Sequence, residues 1–257
     1  MKKTILIAAA LVAMTACNKS LIEVSPVEDG FGYINLGVTT DTEMVVTKAD
    51  GETQTVDLSG YNVTLKQGDV AKWTKEYDEI DPEDWKVAAG TYSIYVENLT
   101  VEETYATEPG VVRVSGENTV VVTAGVSTPC EVKCAPQNSK VSLMYTPDFD
   151  VVFNDPSVSV KESDARTVAM TVGQSHLEAN AAYFEVGQLT WTLTATLNGE
   201  TKTYSKEFNT VKAKWTQITF TTGSTDGQIK VTITVDGEIT AVETITATID
   251  PITGEVN

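Results

Sequence analysis

Apolar and polar residues alternate one by one along most of this chain. That is the period of a strand with one buried face. "GYINLGVTT" (32–40) alternates, and "YNVTLK" (61–66) puts Tyr61, Val63 and Leu65 on one side. "GTYSIYVEN" (90–98) does the same with Tyr92, Ile94 and Val96. The pattern continues through "NTVVVTAG" (118–125), "TPCEVKC" (128–134), "KVSLMYT" (140–146) and "ARTVAMTV" (165–172). It persists in "QLTWTLTATL" (188–197), "TKTYSKEF" (201–208), "KWTQITFT" (214–221), "QIKVTITVDG" (228–237) and "ITAVETITATID" (239–250).

Asn198-Gly199 and Asp236-Gly237 each sit between two such runs, where a two-residue hairpin turn needs positive φ. Many short strands rich in Thr, Val and Ile predict an all-β chain of two tandem antiparallel β-sandwiches. "APQN" (135–138) is the expected division, giving units of 30–137 and 138–257. Helical signals are few. Asp81 is placed to cap a turn opened by Pro82. Ser175 and Glu178 have capping-box spacing.

The first sixteen residues break the pattern. Lys2 and Lys3 precede a short apolar run, and Thr15-Ala16 lead to Cys17. This is the layout of an export signal, too short for the roughly 20 residues that cross a bilayer. Met14-Thr15-Ala16-Cys17 resembles a lipobox, with Met in the place usually held by Leu. Residues 1–16 are then a lipoprotein signal peptide. Cys17 becomes the lipid attachment, and 17–29 a tether containing Pro26. Acyl chains at about 0.8 kcal/mol per buried CH₂ make a durable anchor.

The formal charge is −18, and cleavage makes it two units more negative by removing Lys2 and Lys3. Nucleic acid is therefore not an expected partner. Cys130 and Cys134 fall on one face of a predicted strand. Their separation would be about 14 Å, well beyond disulfide reach. Both read as buried thiols.

Candidate chemistry is sparse. "VGQSHLE" (172–178) puts Ser175 beside His176, the chain's one histidine. Leu177 stands where a nucleophile elbow needs Gly, so Ser175 reads as a helix cap. Asp78, Glu79, Asp81, Glu83 and Asp84 are dense enough to suggest calcium, but lack EF-hand spacing. They read as a solvated turn. No cofactor and no metal are expected. Trp73, Tyr77 and Trp85 crowd one polar segment between strands. They either stack on a sugar face or close the open end of a sandwich. Trp191 and Trp215 read as core.

Several segments in order carry a resemblance: "GYINLGV", "YNVTL", Gly90-Thr91-Tyr92, "VVVTAGVSTPCEVKC" and "NSKVSLMYTPDF". Cys134, Asn138, Val141 and Phe149 form its most recognisable patch. The chain resembles a family of Bacteroidetes cell-envelope lipoproteins filed as a domain of unknown function, distantly similar to fimbrillin-like (type V pilus) proteins. The resemblance implies transthyretin-like sandwiches on an outer-membrane lipid anchor facing the cell surface, without enzymatic activity. "EPGVVRVSG" (108–116) departs from the aromatic pattern associated with that region. Fimbrillin-like subunits assemble after cleavage behind an arginine. Here Arg113 and Arg166 both lie well inside the chain, and Lys48 is a weak substitute. The expected role is surface adhesion or fimbria-like assembly as an anchor, tip or stand-alone protein, with envelope or fimbrial proteins as partners. The alternative is a glycan-binding lipoprotein of a polysaccharide-uptake system.

Overall fold

The structure, a computed structural model, describes residues 30–40, 57–223 and 227–246. Cys17, the tether and Lys48 lie outside the described residues.

The alternating runs form strands whose apolar faces meet in two separate cores. The first core belongs to β1 (Phe31–Thr40), β2 (Asn62–Gln67), β3 (Val70–Glu76), β4 (Lys86–Ala88), β5 (Gly90–Glu97), β6 (Val114–Val122) and β7 (Ser127–Pro136). Their order is β3-β2-β5-β6-β7-β1-β4. The β6–β7 ladder pairs only Val114–Ser115 with Ala135–Pro136 and then opens, so one continuous sheet folds into two facing layers. Ile34, Val63, Leu65, Ile94, Val96 and Val132 fill the space between them. Cys130 and Cys134 point into this core as free thiols, as their shared face predicted. Burial raises both pKa values, that of Cys134 to about 11, so they act as small hydrophobes.

The second core belongs to β8 (Ser139–Tyr145), β9 (Asn154–Ser163), β10 (Arg166–Met170), β11 (Val172–Gly173), β12 (Ala182–Phe184), β13 (Gln188–Leu197), β14 (Glu200–Asn209), β15 (Trp215–Thr222), β16 (Gln228–Val235) and β17 (Glu238–Thr246). One layer runs β10-β9-β13-β14. The facing layer runs β11-β8-β15-β16-β17, with β12 also on β8. Trp191 is fully buried between them, its ring edge-on to Phe220 at 5.1 Å. Among the described residues two one-turn α-helices occur, α1 (Val101–Thr104) between β5 and β6 and α2 (Phe149–Val152) after β8, and Phe149 of α2 stacks on Tyr145 and Phe153.

Both predicted hairpins form. Asn198 and Gly199 have φ of 53° and 82°, and Asp236 and Gly237 have 47° and 85°. These are the positive values a two-residue turn needs. The pairing is not wholly antiparallel, however. β1 runs parallel to β7, and β8 runs parallel to β15. In each half the opening strand returns beside a late one, and the intervening chain supplies the long crossover that parallel pairing requires. Strands β3 and β9 were not read from the sequence. The apolar alternation of β3 is short and interrupted by lysines, and β9 opens on Asn154 and then Asp155 at φ 48° followed by Pro156.

The halves join through Asn138, which is fully buried. Its Oδ1 accepts from the Arg113 backbone N–H at 3.2 Å, and its Nδ2 donates to the Val111 carbonyl at 2.8 Å. Its own carbonyl accepts from Ala213 N–H at 3.1 Å. The Arg166 guanidinium lies 4.3 Å from the Tyr105 ring centre of the first half and 4.8 Å from that of Phe184 in the second. Tyr105 in turn donates its hydroxyl proton to Glu185 at 3.0 Å.

Candidate functional site

The aromatic candidates converge, but not on a loop. Trp73 lies on edge strand β3 opposite Leu65, so its ring turns toward the core. The chain then leaves the strand through Tyr77–Glu79 and a second single turn, Pro82–Trp85. That second turn is built as its sequence predicts. Pro82 opens it, and Asp81 caps it in a box with Asp84. The Asp84 carboxylate accepts from Asp81 N–H at 2.8 Å. It also grips Lys75 Nζ with both oxygens, at 2.6 and 2.8 Å. Those bonds, the Lys75 one foremost, hold the Asp84 carboxyl below its ordinary pKa.

The turn delivers Trp85 edge-on to Trp73, with ring centres 5.1 Å apart and planes at 74°. Trp85 is 8% exposed and belongs to the core together with Ile80, while Trp73 and Tyr77 are half-buried against it. The pair spans the gap between edge strand β3 and the β1–β4 side of the sandwich. This geometry closes an open end. A sugar-sized ligand would meet Trp73 and Tyr77, not the face of Trp85. Asp78, Glu79, Asp81 and Glu83 are exposed around this seam. Among the described residues no group of three or more His, Cys, Asp or Glu side chains converges as for a metal ion.

The Ser–His candidate is rearranged. The turn near it spans Glu178–Asn180, so Ser175 does not cap it. Ser175 is exposed, and His176 turns away to a different serine. His176 Nδ1 lies 2.9 Å from Ser142 Oγ on β8, and Nε2 lies 3.1 Å from Thr219 Oγ1 on β15. Trp215 Nε1 donates to the same Ser142 Oγ at 2.8 Å. An indole N–H only donates, so Ser142 accepts from Trp215, and its own buried O–H is satisfied by donating to a bare Nδ1. The imidazole is therefore neutral, with its proton on Nε2 directed at Thr219. Burial alone pulls its pKa down to about 4. Ser142 is fully buried, so no substrate carbonyl reaches its Oγ. This is a sealed relay and not a nucleophile. Sequence reading missed it because Ser142 looks like an ordinary strand position, 34 residues from its partner. Trp215 is half-buried and not core, with Lys140 Nζ 3.9 Å from its ring centre.

A family profile described as a domain of unknown function, DUF4493, matches residues 30–251. The chain belongs to this family. The resemblance read from the strand order and the Cys134–Asn138 patch is thus borne out. No curated protein matches the chain. Among solved structures it is similar to a fimbrial assembly protein from Parabacteroides distasonis, at 13% identity and TM-score 0.48, covering 83% of this chain and 98% of that one. It is also similar to a candidate cell adhesion protein from Bacteroides eggerthii, at 12% identity and TM-score 0.46, covering 84% and 98%. A third is a candidate polysaccharide-binding protein from Bacteroides thetaiotaomicron, at 8% identity and TM-score 0.49, covering 82% and 98%.

Proposed function

We propose that this DUF4493 protein is a non-enzymatic, lipid-anchored protein of the outer membrane. In this reading it faces the cell surface and works in adhesion or fimbria-like assembly, as an anchor, tip or stand-alone protein. Cys17 carries the lipid, residues 17–29 are the tether, and 30–137 and 138–257 are two sandwich domains held away from the bilayer. The observation that carries this reading is the lipobox-like Met14-Thr15-Ala16-Cys17, set shortly before an all-β body of two cores. Fully extended, the twelve tether residues after Cys17 (18–29) reach at most about 43 Å, enough to clear a membrane surface. The sealed state of Ser142–His176 supports a non-enzymatic role, because this Ser–His contact among the described residues is closed to substrate.

Metabolic labelling with an alkyne fatty acid tests the anchor. The wild-type protein is expected to take up label and partition with membranes, and Cys17→Ser to do neither. Equal behaviour of the two proteins would remove the anchor.

The second reading, a glycan-binding lipoprotein, is favoured by the half-exposed rings of Trp73 and Tyr77 beside an acidic turn. A glycan array on wild-type, Trp73→Ala and Tyr77→Ala proteins decides it. Binding that falls at least ten-fold in both variants is expected under that reading. Unchanged binding in both would place any sugar elsewhere.

A further inference from the structure

The strands that cover the edge of β8 are unusually short. β11 pairs only with Leu143 and Met144, in parallel, and β12 only with Ser139–Val141, antiparallel. Ser142 falls in the gap between them. Residues 174–181 leave the sheet there, cross outside it and return, forming a strap over the outer face of β8 and β15. The side chain in the middle of that strap is His176, fastened to Ser142 and Thr219 as described. A second side-chain hydrogen bond among the described residues, Gln174 Nε2 to Asp150 Oδ2 on α2, is long at 3.3 Å. The Leu177 side chain is 52% exposed, while Ala181 at the strap's return to the sheet is buried.

We propose that Ser142–His176–Thr219 is an acid-released latch that holds the 174–181 strap over the β8 edge. The relay works in one protonation state only. Trp215 uses Ser142 as acceptor of one proton, and a bare Nδ1 is the acceptor that then satisfies the buried Ser142 O–H. When Nδ1 takes up a proton, Ser142 can still accept, but its O–H loses its target at a fully buried position. A cation is then also left in a site built for a neutral ring.

The charged groups on neighbouring elements do not offset this. They are Lys140 on β8, Lys230 on β16, the Lys214–Asp236 ion pair (2.6 Å) beside the start of β15, and Asp150 and Asp148 around α2. The three carboxylates are engaged elsewhere: Asp148 with Thr222, Asp236 with Lys214 and Trp215 N–H, and Asp150 with Gln174. Release bares the free edge of β8 at Ser142 and uncovers the Lys140–Trp215 pair.

The sign follows from the lowered pKa. In the closed strap the imidazole titrates near 4, against about 6.5 when open. Closure is therefore fully favoured above pH 6.5 and weakens as pH falls toward 4. The opening equilibrium should rise about 100-fold between those values.

A single histidine makes the test clean, since its imidazole resonances need no assignment by mutation. In the full chain, NMR titration should give a midpoint near 4. Hydrogen exchange of 174–181, corrected for intrinsic rates, should accelerate as pH falls from 6.5 to 4, ahead of the β13 amides. In His176→Gln, whose amide does not titrate, that acceleration should be absent. In Ser142→Ala the imidazole midpoint should rise by a unit or more. An imidazole titrating near 6.5 with the strap protected throughout would overturn the proposal. So would acid-accelerated exchange of the strap in His176→Gln equal to wild type. Should the Gln variant fail to fold, the wild-type titration and Ser142→Ala still decide.

Discussion

Gly116→Ala is expected to destabilise the protein by about 3 kcal/mol, the upper end of the usual cost of overpacking. The residue sits on β6 where the ladder to β7 has just opened and the two strands cross. A Cβ added there would lie 2.3 Å from the Lys133 carbonyl oxygen, 2.8 Å from its carbon and 3.0 Å from Cys134 Cα. All three are backbone atoms of a strand that also carries the parallel ladder to β1. Relief cannot come from a side-chain rotation, and the strand itself must move. The melting temperature should fall by about 6–12 °C, which differential scanning calorimetry measures directly. Gly37→Ala on β1 is the matched control. No heavy atom lies within 4 Å of its added Cβ, so its effect should stay within about 0.5 kcal/mol. Equal melting temperatures for the two variants would remove the strand crossing as an explanation.

Trp85→Ala should cost about 3–5 kcal/mol, the range for losing a large buried aromatic ring. Two contributions add. The ring leaves a cavity among Ile80 and the first core, and the edge-on contact with Trp73 is lost. Such aromatic contacts contribute about 0.5–1.5 kcal/mol beyond burial. Urea denaturation followed by far-ultraviolet circular dichroism measures the change. Trp85→Phe keeps a ring at the seam and should recover at least half of the loss. If Trp85→Ala unfolds at the wild-type urea concentration, the seam is not what closes this sandwich. The same variant separates structure from recognition, because a glycan platform resting on Trp73 and Tyr77 predicts a binding loss without this large fall in stability when those two are changed.

Some of this was readable in the residues because the relevant physics is local. The Asp81-Pro82 cap, the Asn198-Gly199 and Asp236-Gly237 hairpins and the inward thiols of Cys130 and Cys134 each depend on neighbours within a few positions. Strand β3 was missed for an equally local reason, since its lysines blur the alternation and leave Trp73 looking like a loop aromatic. The pairing of Ser175 with His176 was suggestive in the sequence and irrelevant in space. The chain bends at Gln174–Ser175 after leaving β11, and His176 finds Ser142 instead.

The sequence by itself determined that the chain is built of strands, which face of most of them is buried and where two hairpins turn. A period of two encodes those things residue by residue. Only the tertiary structure decided which strands meet. It set β1 parallel to β7 and β8 parallel to β15, brought Trp73 onto Trp85, and placed one buried amide at the join. Alternation marks a face without marking its partner. The partner is chosen by how two layers fill one core and by how far the chain must loop to bring their strands together.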